Sequence, residues 1–216
     1  MSKIFYKFLV LLVISFISFS VNAQLRHNSC GKSLSKFYVT PYIGIGMGSY
    51  SYDLNNTVIG PAPDSVNYPT AEGNMTTPIF GINFMYNVGR ANIGGGLEWE
   101  GMYGKTTTEI SEVKQSAYFY KFYGKLEYAF YSDSFSDIGM HLQAGIMFPN
   151  KTIGDSKELG MFVLGGFYYN LIIDSRSSLF IAADYEYSMF TTSINTKVSN
   201  HTLKPIKISI GYRFWF

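Results

Sequence analysis

The chain has 216 residues and a formal charge of +2, enough for one domain and too close to neutral to suggest a polyanionic partner such as nucleic acid. Only 15% of its residues are charged, against roughly a quarter in soluble proteins, while it carries 18 Tyr, 18 Phe and 21 Gly. Its single cysteine, Cys30, excludes an internal disulfide.

The first 23 residues read as a secretory signal peptide. Lys3 and Lys7 precede an apolar core from Phe8 to Phe19, and Val21-Asn22-Ala23 places small residues at a cleavage site. Removing them takes two lysines and leaves 15 basic against 15 acidic residues. A polar leader, 24–36, follows. It contains Cys30, preceded by "RHNS" rather than a lipid-attachment signal.

From residue 37 the chain alternates with a period of two, the mark of strands whose faces meet different surroundings. In 37–50, Val39, Ile43, Ile45 and Met47 oppose Thr40, Tyr42, Gly44, Gly46 and Gly48. After a polar stretch at 51–78, strand 79–88 sets Phe80, Ile82, Phe84 and Tyr86 against Gly81, Asn83, Met85 and Asn87. Gly89-Arg90-Ala91 leads into 92–104, where Ile93, Leu97, Trp99 and Tyr103 oppose Gly94, Gly96, Glu98 and Glu100. A loop is predicted at 105–115. In 116–131 the apolar set is Tyr118, Tyr120, Phe122, Leu126, Tyr128 and Phe130, opposite Lys121, Lys125 and Glu127.

A short turn leads to 138–148, with Ile138, Met140, Leu142, Ala144, Ile146 and Phe148 on one face and His141 and Gln143 on the other. After a loop at 149–157, both faces of 158–173 are apolar; turning Asn170 inward puts Met161, Val163, Phe167, Tyr169 and Leu171 outward. Strand 178–190 opposes Leu179, Ile181, Ala183, Tyr185 and Tyr187 to Asp184 and Glu186. A loop at 191–203 precedes the last strand, 204–216.

These eight strands match the roughly 9–11 residues that cross a bilayer, and their predicted connections alternate long and short. Alternation alone fits a soluble lipocalin-like barrel, apolar inside, or a membrane barrel, apolar outside. Glycines on the polar faces and aromatic residues sorted to the two ends of the apolar faces favour the second. In hydrocarbon every backbone polar group needs a partner, which a sheet supplies only by closing on itself. The fold class is therefore an all-β, eight-stranded antiparallel up-and-down transmembrane barrel over 37–216.

The chain ends Ser209-x-Gly211-x-x-Phe214-x-Phe216. This pattern, with the eight alternating strands, resembles the small eight-stranded bacterial outer-membrane β-barrels, a family that includes the OmpA transmembrane domain and OmpX. The resemblance implies an outer-membrane location, a surrounding of lipid and lipopolysaccharide, and recognition of the last strand by the barrel assembly machinery. It carries no specific function.

An eight-stranded barrel is just wide enough to be filled by side chains. By parity Glu98, Glu100, Lys121, Lys125, Glu127, Asp184, Glu186, Lys207 and Arg213 face inward, five acids and four bases. Hairpin symmetry puts Glu98 or Glu100 beside Lys121 and Asp184 beside Lys207, so the expectation is a paired plug, with a narrow small-solute channel as the alternative. Catalysis would require a histidine with a serine and an acid near the outer leaflet. His27 falls in the leader, His141 near the periplasmic end and His201 in a predicted loop, so no catalytic residue is assigned. No spacing marks a metal or cofactor site. The expected protein is a monomer with a structural or surface-interaction role, meeting any surface ligand through its outer loops.

Overall fold

The computed structural model describes residues 36–55, 71–107, 112–151, 156–157, 159–174, 176–194 and 197–216. The expected signal peptide, and all of the leader except Lys36, lie outside these residues, as does 56–70 of the first predicted loop. The strands are β1 (Phe37–Asn55), β2 (Ala71–Val88), β3 (Ala91–Thr107), β4 (Glu112–Ser132), β5 (Ser136–Lys151), β6 (Ser156–Lys157), β7 (Gly160–Asp174), β8 (Ser177–Ile194) and β9 (Lys197–Trp215). Eight long strands pair antiparallel with their neighbours, and β9 pairs with β1 to close the cylinder. The two-residue β6 adds to the outer end of β8.

Closure is fixed by register. Ile43 lies opposite Ile210 and Ile45 opposite Ile208 along the β1–β9 seam. At the terminus the Phe216 amide donates to the Phe37 carbonyl at 2.9 Å.

The short turns are built by side chains that replace missing ladder bonds. Asn87 Oδ1 accepts from the Gly89 amide at 3.0 Å, and Gly89 takes the positive φ, 78°, that the two-residue β2–β3 hairpin demands. Asp133 Oδ1 accepts from the amides of Phe135 and Ser136, both at 2.7 Å. Asp174 Oδ1 accepts from the Arg176 amide at 2.6 Å. All three turns lie at the end of the barrel that holds Phe37 and Phe216.

The eight long strands run 15 to 21 residues, longer than the membrane-crossing length read from the sequence. A 19-residue strand such as β9, rising ~3.3 Å per residue and tilted by ~40°, spans about 48 Å, against an apolar band of about 25 Å. Polar stretches predicted as loops therefore continue the ladder. Lys105-Thr106-Thr107 pairs with 112–114, and the predicted loop 191–203 is almost wholly strand, with Ile194 opposite Lys197 across a two-residue link. These stretches are polar in composition and read as loop, yet their backbones still pair.

The faces have opposite characters. Ile208 is 59% exposed and its neighbour Lys207 is 1% exposed. Ile43, Phe80, Phe84, Leu97, Phe122, Ile146, Phe167 and Ile210 form an exposed apolar wall, while all nine inward-reading charges are buried. In β7, where both faces are apolar, Met161, Val163, Phe167, Tyr169 and Leu171 are the exposed set and Phe162, Leu164, Tyr168 and Asn170 the buried one.

Candidate functional site: the filled lumen

The centre of the lumen is held by five charged groups from four strands. Lys207 Nζ lies 3.0 Å from Glu98, 2.9 Å from Glu100, and also donates to Glu186. Lys121 meets Glu100 and Glu186 directly and stands 3.7 Å from Glu98. Two ammonium groups thus sit among three carboxylates, one oxygen of each lying within 4.8 Å of the others. That spacing is one a metal cation also accepts, but here the lysines fill it. Tyr42 extends the network by donating to Glu98 at 2.7 Å, and Tyr123 OH lies 2.8 Å from both Tyr42 OH and Asn83 Oδ1. Gly96 makes room for this: a Cβ there would meet the Tyr123 hydroxyl and the Ile82 carbonyl.

Towards Phe37 and Phe216 a second network surrounds Glu127. Lys125 Nζ lies 3.1 Å from it, Arg213 Nη2 donates to Oε2 at 3.1 Å and Tyr38 OH donates at 2.7 Å. The Arg213 guanidinium stacks over Tyr38, 4.2 Å from the ring centre, and over Phe180 at 5.1 Å. Such contacts favour a charge removed from water. Asp184, expected beside Lys207, is its register partner. Its carboxylate turns instead to His141 Nε2, 2.7 Å away across Gly166. Lys207 reaches across the lumen, where three carboxylates compete for it.

Towards the opposite end the interior is apolar, which the reading of a polar inner face did not foresee. Tyr50, Met75, Met102, Ala117, Phe119, Tyr123, Met147, Phe162, Leu164, Phe190 and Leu203 form one buried cluster. Lys121 points up at it, 4.6 Å from the Phe162 ring centre. His201, expected in a loop, is in β9 and buried here. Its Nδ1 is 2.7 Å from Tyr50 OH, its Nε2 2.8 Å from Thr192 Oγ1, and its ring stacks on Phe190 at 4.5 Å. Both nitrogens are engaged within an aromatic sandwich.

The residues of the terminal pattern divide by parity. Ser209 and Gly211 point into the lumen, while Phe214 and Phe216 are exposed on the outer wall.

No protein-family model and no curated protein matches the chain. A solved structure does: the outer membrane protein OprG of Pseudomonas aeruginosa superposes with a TM-score of 0.54 at 11% identity, covering 85% of this chain and 97% of its own. The fold is that of an outer-membrane β-barrel. The outer membrane protease OmpT of Escherichia coli matches with a TM-score of 0.46 at 7% identity, over 85% of this chain and 98% of its own. Neisserial surface protein A matches at 0.42 and 15%, over 85% and 99%. At 11% identity the likeness to OprG is one of fold. As in other outer-membrane barrels, the end with the short turns, which also holds Phe37 and Phe216, belongs to the periplasmic side, so the Glu127 network is periplasmic and the apolar cluster faces the exterior.

Proposed function

We propose that this protein is a resident outer-membrane barrel that does not conduct solutes, and that its role is structural or one of surface interaction. The observation that carries the reading is the stacking of a charge-paired layer under an apolar one. An ion passing Lys207 would have to displace an ammonium held by three carboxylates, then cross the cluster of Phe119, Phe162, Phe190 and Leu203, where the His201, Tyr50 and Thr192 side chains already bond one another. Buried charges left unpaired cost several kcal/mol, so the layer resists opening.

A surface role would use the strand ends that project past the apolar wall, where Ser49, Glu72, Asn74, Lys105, Ser116 and Lys204 are exposed. Outer-membrane lipid and lipopolysaccharide would cover the wall below them. Phe214 and Phe216 would be read by the assembly machinery before the barrel closes. Purified protein in planar bilayers tests the reading: a flat current is expected, and steady single-channel steps would overturn it.

A further inference from the structure

Buried polar atoms without hydrogen-bond partners are unevenly distributed in this lumen. Thr40 Oγ1, His141 Nδ1, Gln143 Oε1, Asn170 Oδ1, Ser178 Oγ and Arg213 Nε all lack one. They come from β1, β5, β7, β8 and β9 and lie on the periplasmic side of Lys207. Two more, Thr77 Oγ1 and Glu100 Oε1, lie at the level of Lys207 itself. The exterior-facing layer is the eleven-residue apolar cluster.

Register relates several of these groups to common neighbours. Ser178 is the register partner of Arg213, and His141 meets Asp184, which lies two positions beyond Ala182 and four beyond Phe180 on the same inner face. Asn170 opposes Phe180 on one side and Asp137 on the other, and its Nδ2 donates to Asp137 at 3.2 Å. Asp137 is only half buried and stands at the periplasmic rim beside the Asp133 turn. The row therefore runs from a solvent-touching carboxylate inward to Gln143.

Both hydroxyls, two amide oxygens, an imidazole nitrogen and a guanidinium N–H offer mixed donors and acceptors. Water is the ligand that satisfies such a set, since a buried water makes about three hydrogen bonds to otherwise unpaired polar groups. We propose that the periplasmic half of the lumen holds internal water that enters at the Asp137–Asn170 rim and stops at the apolar layer. The barrel is then wet from one side only. This rests on the filled-lumen reading above.

Water-edited solid-state NMR of the full chain in lipid vesicles tests it. Early magnetisation transfer from water is expected at the side chains of His141, Gln143, Asn170 and Ser178, several-fold faster than at Phe119, Phe190 and Leu203. Absence of transfer at both sets would overturn the internal water and leave the filled lumen standing. Equally fast transfer at Phe190 and Leu203 would overturn both, because water would then pass the whole lumen.

Discussion

Asp184 and His141 meet at 2.7 Å from strands that are not neighbours, because the residue between them on β7 is Gly166. A Cβ at Gly166 would collide with the Asp184 carboxylate and with the Ala183 carbonyl. Gly166→Ala is therefore expected to destabilise the barrel by about 1–3 kcal/mol, the usual range for overpacking. Gly124 faces lipid, and a Cβ there would find nothing nearer than 4.0 Å. Gly124→Ala is the matched control and should leave the urea midpoint in lipid vesicles unchanged.

Adjacent residues in β9 should respond to opposite chemistry. Lys207→Met leaves three carboxylates with one ammonium and is expected to cost about 3–5 kcal/mol, as for other buried pairs broken on one side. Ile208→Lys puts a charge on the lipid face and should cost about 2–4 kcal/mol near the bilayer midplane. Ile208→Leu should be nearly silent. Equilibrium unfolding followed by heat-modifiable gel mobility measures all three.

The periplasmic turn at Asp133 should be acid-sensitive. Backbone amides of Phe135 and Ser136 and the Tyr131 hydroxyl stabilise its carboxylate, the Phe135 amide most, and hold its pKa below the usual 3.8. A depressed folded-state pKa means that the turn's contribution is fully present above the unfolded value and is lost as pH falls through the lowered one. The NMR shift of the Phe135 amide should therefore titrate with a midpoint below 3.8. In Asp133→Asn that acid transition should vanish. A midpoint at or above the ordinary value would contradict the turn geometry.

Phe216 is 72% exposed at the end of the chain, so its loss removes little packing. Phe216→Ala is expected to refold from urea into detergent micelles nearly as well as the parent. In cells it should reach the heat-modifiable outer-membrane state markedly less. Equal yields in cells would remove the proposed role of the terminal pattern.

Period-two parity was legible because each residue's face depends only on its place in its own strand. Even β7, apolar on both sides, could be oriented from Asn170 alone. Cross-strand register was legible to within one inward position where a hairpin is symmetric: symmetry put Glu98 or Glu100 beside Lys121, and Glu98 is the register partner. Contacts across the lumen were not, since no local pattern says that Lys207 of β9 reaches Glu98 and Glu100 of β3. The apolar layer was hidden for a related reason: Phe119 and Tyr123 lie in "AYFYKFYG", where aromatic residues occupy both faces and only the outward set stood out. His201 was misplaced because strand that has risen past the lipid carries the polar composition of a loop.

The central claim is that the wall meets lipid and the lumen does not, and the chain's two tryptophans report on it directly. Trp99 lies on the outer wall, and Trp215 is 7% exposed inside the barrel against Tyr38. Fluorescence of single-tryptophan variants, Trp99→Phe and Trp215→Phe, should be recorded in vesicles of brominated lipid. Strong quenching of Trp99 and little quenching of Trp215 is the expected result; quenching of Trp215 equal to or greater than that of Trp99 would contradict it.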